Sequence, residues 1–81
     1  MFTEDFYIIF PEGDTQEVPC RLPFNSLVGI NGEPLSLPLP SSKVLAYRVA
    51  GIRVNERRGG NETYHLLEAL SAEELIPYAR G

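Results

Sequence analysis

Two β-rich runs separated by a glycine pair dominate the second half of this chain. The first reads Lys43-Val44-Leu45-Ala46-Tyr47-Arg48-Val49, then Ala50-Gly51, then Ile52-Arg53-Val54-Asn55-Glu56-Arg57. After Arg58-Gly59-Gly60-Asn61 the second reads Glu62-Thr63-Tyr64-His65-Leu66-Leu67-Glu68-Ala69-Leu70. β-Branched and aromatic residues on both sides of a Gly-Gly interruption predict a long β-hairpin. The pattern points to a fold and names no reaction.

Both glycines can take positive φ at little cost, as a primed turn requires. With Gly59 and Gly60 at the centre of that turn, Arg58 faces Asn61, Arg57 faces Glu62, Asn55 faces Tyr64, Val54 faces His65 and Ile52 faces Leu67. Arg57 and Glu62 then form a cross-strand ion pair. One face carries Ile52, Val54, His65 and Leu67; the other carries Arg53, Asn55, Tyr64 and Leu66. The alternation of Leu45, Tyr47 and Val49 breaks at Ala50-Gly51 and restarts on Ile52. A glycine at a break in period predicts a bulge or sharp bend, where a strand can turn the corner of a small barrel.

The first half supplies shorter pieces. Residues 2–10 read as a strand with Phe6, Ile8 and Phe10 on one side and Tyr7 and Ile9 on the other. Apolar residues on both sides predict a central or covered strand. Pro11-Glu12-Gly13-Asp14 is a turn signal, and residues 16–22 are the returning strand, irregular or at an edge because of Pro19. Leu27-Val28-Gly29-Ile30 precedes Asn31-Gly32, a second hairpin signal. The arm that follows holds Leu35, Leu37 and Leu39 on one side. Pro34, Pro38 and Pro40 make it extended and polyproline-like. At the C-terminal end, Ser71 followed by Glu74 forms a capping box, with Pro77 expected to stop the helix after about one turn.

Five or six short strands and one helical turn in 81 residues predict a single domain over residues 1–81. Its fold class is mainly β: a small SH3-like or related β-barrel, or a curled antiparallel sheet, with a short C-terminal helical turn. A domain of this size buries about 60–65% of its unfolded surface, enough for one modest core. Neither end has linker-like composition, which favours a complete small protein. The longest apolar run, Tyr7-Ile8-Ile9-Phe10, is far short of a membrane span. The N-terminal residues carry Glu4 and Asp5 and no basic start, unlike a secretory signal. Cys20 is the single cysteine, so no internal disulfide forms. The cytoplasm is the expected compartment.

Catalytic equipment is sparse. His65 is the only imidazole and has no flanking motif that would pair it with Cys20 or a serine. It reads as a partly buried strand residue opposite Val54, and Cys20 as a small buried hydrophobe. Glu73-Glu74 suits a helix cap better than an acid pair. One His and one Cys make no ordinary metal site. No enzyme activity and no cofactor are expected.

Two surfaces remain as candidates. Arg53, Asn55, Arg57, Arg58 and Tyr64 form a basic, aromatic-containing patch on the hairpin, suited to carboxylate or phosphate. Leu35, Leu37 and Leu39 either cover the domain's own barrel or form an exposed patch used in association. Net charge is −4; residues 1–40 hold six acids against one base, and residues 41–81 six bases against five acids. That balance argues against a general nucleic-acid binder while leaving a basic tip. The expected function is a non-enzymatic protein-interaction or self-associating module. A nucleic-acid-binding barrel using Arg53, Arg57 and Arg58 is the alternative, and no membrane partner is expected.

Overall fold

The structure is a computed structural model and describes residues 2–79. Five strands and a helix follow in order: β1 (Thr3–Ile9), β2 (Thr15–Val18), β3 (Leu27–Val28), β4 (Tyr47–Arg57), β5 (Gly60–Ala69) and α1 (Ala72–Ala79). They form one mainly-β curled sheet, in the order β2-β1-β5-β4-β3, with the short helix at its C-terminal end. All neighbours pair antiparallel except β1 and β5, which run parallel from Thr3 opposite Gly60 to Ile9 opposite Leu66. β1 is a central strand between β2 and β5, with Phe6 and Ile8 on the side of the main core and Tyr7 and Ile9 partly exposed on the other side.

Local chemistry sets the corners. Gly13 takes φ +104° in the turn between β1 and β2, where the Phe10 N–H donates to the Asp14 carbonyl at 2.8 Å. β2 ends at Val18, before Pro19, so it is shorter than the sequence pattern suggests. The second hairpin is rudimentary. The Gly29 N–H donates to the Glu33 carbonyl at 2.9 Å, and Val28 makes an isolated bridge to Pro34. The prolines keep the rest of that arm out of the ladder. The expected break in β4 is present as a register shift between Val49 and Gly51.

The long hairpin forms with a register two residues away from the expected one. Arg57 faces Gly60, Asn55 faces Glu62, Val54 faces Thr63, Arg53 faces Tyr64 and Ile52 faces His65. Arg58 and Gly59 are the central turn residues, and Gly59 alone has positive φ, at +87°. Gly60 is needed for another reason. A Cβ there would run into the Thr3 carbonyl oxygen and hydroxyl, because β1 lies directly against it. One glycine of the pair serves the turn and the other serves the parallel neighbour. A two-residue shift leaves every side chain on its expected face.

The core lies on one face of the sheet. Ile8, Phe10, Val18, Leu22, Val28, Val49 and Leu67 pack together, with Phe6, Tyr47 and Ile52 at the margin. Phe10 meets Tyr47 edge-on, with ring centroids 5.2 Å apart. His65 is fully buried here and faces Ile52, not half-buried opposite Val54. Its Nε2 accepts the Leu22 N–H at 2.9 Å, and its Nδ1 lies 2.8 Å from the Tyr7 carbonyl. That geometry assigns the ring proton to Nδ1 and satisfies both nitrogens.

A second cluster sits under the helix. Leu27, Leu39, Ala46 and Leu75 are buried together, with Leu35, Val44, Leu70 and Tyr78 packed against them. The Leu39 N–H donates to the Tyr78 carbonyl at 2.8 Å, tying the proline-rich arm to the helix end. The capping box forms in both directions. The Ser71 N–H donates to Glu74 Oε1 at 2.9 Å, and the Glu74 N–H donates to Ser71 Oγ at 3.2 Å. The helix continues through Pro77 to Ala79 and does not stop after one turn. Proline at that place deletes one i→i−4 bond, while the cap and the buried Leu75 hold the rest.

Candidate interaction face

On the side of the sheet opposite the main core, three strands place their side chains in rungs. The first runs Asp5, Glu62, Asn55; the second Tyr7, Tyr64, Arg53; the third Ile9, Leu66, Gly51. Each rung comes from direct Cα pairing across β1, β5 and β4. Tyr7 and Tyr64 stack, with centroids 5.1 Å apart and ring planes 17° from parallel. Gly51 ends the third rung with no side chain, so Leu66 has no outer neighbour on β4. A shallow depression of about 360 Å³ results, lined by Ile9, Arg53, Val54, Asn55, Tyr64 and Leu66.

The face is amphipathic and its charges are mixed. Arg57 lies 3.7 Å from Glu62 and 3.9 Å from Asp5, so the expected Arg57–Glu62 pair is present but shared. Asn55 Nδ2 donates to Glu62 Oε1 at 3.3 Å. Loss of solvation, then the carboxylates of Asp5, Glu17 and Glu62, push the Tyr7 phenol above the usual tyrosine value. Acids therefore surround the aromatic stack. Arg53 stands at its edge with no carboxylate partner among the described residues.

The structure brings together Arg53, Asn55, Arg57 and Tyr64 on this face. Arg58 sits beyond it, exposed in the turn. The three leucines of the arm part company. Leu39 is buried and Leu35 packs beside it in the second cluster, while Leu37 is 57% exposed. The arm thus mostly covers its own domain. Leu66 lies on the side of the hairpin where it was expected, whereas Tyr7 and Ile9 belong to the face without having been expected there. Their signal in the sequence is the second apolar side of residues 2–10, whose partner only the parallel pairing reveals.

Nothing on this face resembles a nucleophile and base in contact. His65 lies on the opposite side, inside the core. Cys20 is exposed, not the small buried hydrophobe expected. Among the described residues, no three His, Cys, Asp or Glu side chains are placed to hold a metal ion. No helix among them is long and apolar enough to cross a membrane.

A family model described as "Uncharacterised Treponema protein" matches residues 2–78. The chain belongs to that family. The match takes in the sheet, the proline-rich arm and most of the helix, so both faces of the sheet fall within the family's own extent. No curated protein and no solved structure matches the chain.

Proposed function

We propose that this protein is a non-enzymatic interaction module, a small SH3-like barrel that works by meeting another protein or a second copy of itself. The observation that carries the reading is the pairing of β1 with β5. It builds a row of half-buried aromatic and aliphatic side chains, Tyr7, Tyr64, Ile9 and Leu66, on the side of the sheet away from the main core. Aromatic rings bordered by an arginine are the composition that protein interfaces favour at their centres. The helix and the arm cover a different apolar cluster, which leaves this face to a partner. A reducing setting such as the cytoplasm is part of the proposal, resting on a lone Cys20.

The test is affinity capture from the source cell with the whole chain, followed by reconstitution with each purified candidate. Tyr64→Ala and Leu66→Ala should each weaken reconstituted binding at least tenfold. Unchanged binding by both variants would remove this face from the proposal.

A second reading uses the same face for single-stranded nucleic acid, favoured by tyrosines next to Arg53. Asp5, Glu17 and Glu62 around the stack work against it. It requires retention that falls steeply with salt and with Arg53→Ala.

A further inference from the structure

β4 is longer than the strand that covers it. β3 pairs with β4 only at Tyr47 and Arg48, and residues 25 and 26 add backbone bonds at Val49. From residue 51 to residue 57 the outer edge of β4 has no strand or backbone partner among the described residues. Those seven residues, at about 3.3 Å each, span about 23 Å. An open edge of that length is a template for another strand.

The side chains along the edge say which strand fits. We propose that a second copy of this chain pairs antiparallel along residues 51–57 of β4, about a two-fold axis at Val54. A two-fold axis normal to the sheet keeps the faces aligned, so only residues of the same face oppose each other. An axis at Arg53 would set that guanidinium against itself, and an axis at Asn55 would set Arg53 against Arg57. Like charges directly opposite are unfavourable. An axis at Val54 places Arg53 opposite Asn55, Ile52 opposite Glu56 and Gly51 opposite Arg57, with no like pair.

Two further features agree. Val54 is 45% exposed although it is a β-branched residue in mid-strand, and this pairing covers it with its own mate. The rung Tyr7, Tyr64, Arg53 would run on into Asn55, Glu62 and Asp5 of the second copy. The cation that lacks a carboxylate partner then points toward the acidic end of the neighbouring rung. Two open faces join into one continuous face across the axis, because both include residues of β4.

The pairing rests on the interaction-module reading and narrows it to self-association at one edge. Light scattering on the whole chain across a concentration series should show a dimer. Val54→Lys, which sets two ammonium groups together on the axis, and Asn55→Arg, which faces Arg53 with arginine, should each shift the midpoint of dimerisation at least tenfold. Circular dichroism checks that each variant keeps its sheet. In a Cys20→Ser background, Val54→Cys should form an intermolecular disulfide and Glu56→Cys should not, since its own mate lies about four residues, or 13 Å, away. A dimer insensitive to both charge variants, or one cross-linked by Glu56→Cys and not by Val54→Cys, overturns the edge pairing and leaves self-association standing. A monomer at every concentration overturns the pairing, while capture of a different protein through Tyr64 and Leu66 would still support the broader reading.

Discussion

His65 Nε2 accepts the backbone N–H of Leu22 at 2.9 Å, joining residues 43 apart in the sequence inside the main core. The same ring reaches the Tyr7 carbonyl through Nδ1 at 2.8 Å. One imidazole therefore ties the irregular segment after β2 to β1 and β5. A buried backbone donor or acceptor without a partner is costly, and here one side chain serves one of each. His65→Leu keeps similar bulk and strands both groups. It should lower stability by about 2–4 kcal/mol, measured by urea unfolding. A loss below about 0.5 kcal/mol would mean that water replaces the ring without penalty.

The two adjacent glycines of the hairpin predict different injuries. Gly59→Ala strains a residue at φ +87° and should cost about 1 kcal/mol. Gly60→Ala pushes a methyl group into Thr3 and should cost more, about 1–3 kcal/mol, as overpacking does. Hydrogen exchange separates the mechanisms. Gly60→Ala should speed exchange across β1, whereas Gly59→Ala should confine the change to the turn.

Helix α1 carries a pH-dependent cap. The backbone N–H and hydroxyl of Ser71 hold the Glu74 carboxyl below the usual glutamate value. A lowered folded value means that the unfolded chain takes up the proton first. The cap's contribution is complete above the unfolded value and is lost as pH falls through the folded one. The protection factor of the Leu75 amide, which allows for the slower intrinsic exchange in acid, should therefore fall on acidification through the carboxylate range, and Glu74→Gln should flatten that response. Ser71→Ala removes the reciprocal bond at all pH values and should cost about 1 kcal/mol.

The proline-rich arm offers a contrast between leucines two residues apart. Leu39 is buried against Leu27, Ala46 and Leu75, so Leu39→Ala should cost about 2–4 kcal/mol in thermal or urea unfolding. Leu37 is largely exposed, and Leu37→Ala should change stability by less than about 0.5 kcal/mol. Equal effects would show that the arm does not anchor through Leu39.

The parts of this fold readable from sequence are those specified by neighbours in the chain. Ser71 and Glu74 are three residues apart, so the capping box needs nothing distant. Ala50-Gly51 breaks the alternation of a single strand, and the bulge is there. Pro11 to Asp14 turns by its own backbone preferences. The hairpin of β4 and β5 is likewise local, and its faces are as expected because a two-residue shift preserves side-chain parity. The register itself escaped, since both glycines satisfy the turn equally and only the approach of Thr3 distinguishes Gly60 from Gly59.

Tertiary structure decided the rest. The parallel pairing of β1 with β5 joins segments separated by more than fifty residues, and no local propensity encodes such a contact. That pairing stacks Tyr7 on Tyr64, sets Ile9 beside Leu66 on the candidate face, and surrounds the expected basic patch with acids. It also buries His65, whose neighbours Leu22 and Tyr7 lie in other segments. The sequence alone determined which residues alternate, turn and cap, because backbone sterics and short-range hydrogen bonds act within a few residues. Which faces are buried, and which side chains meet across the sheet, depended on the global packing of strands whose own patterns permit more than one neighbour.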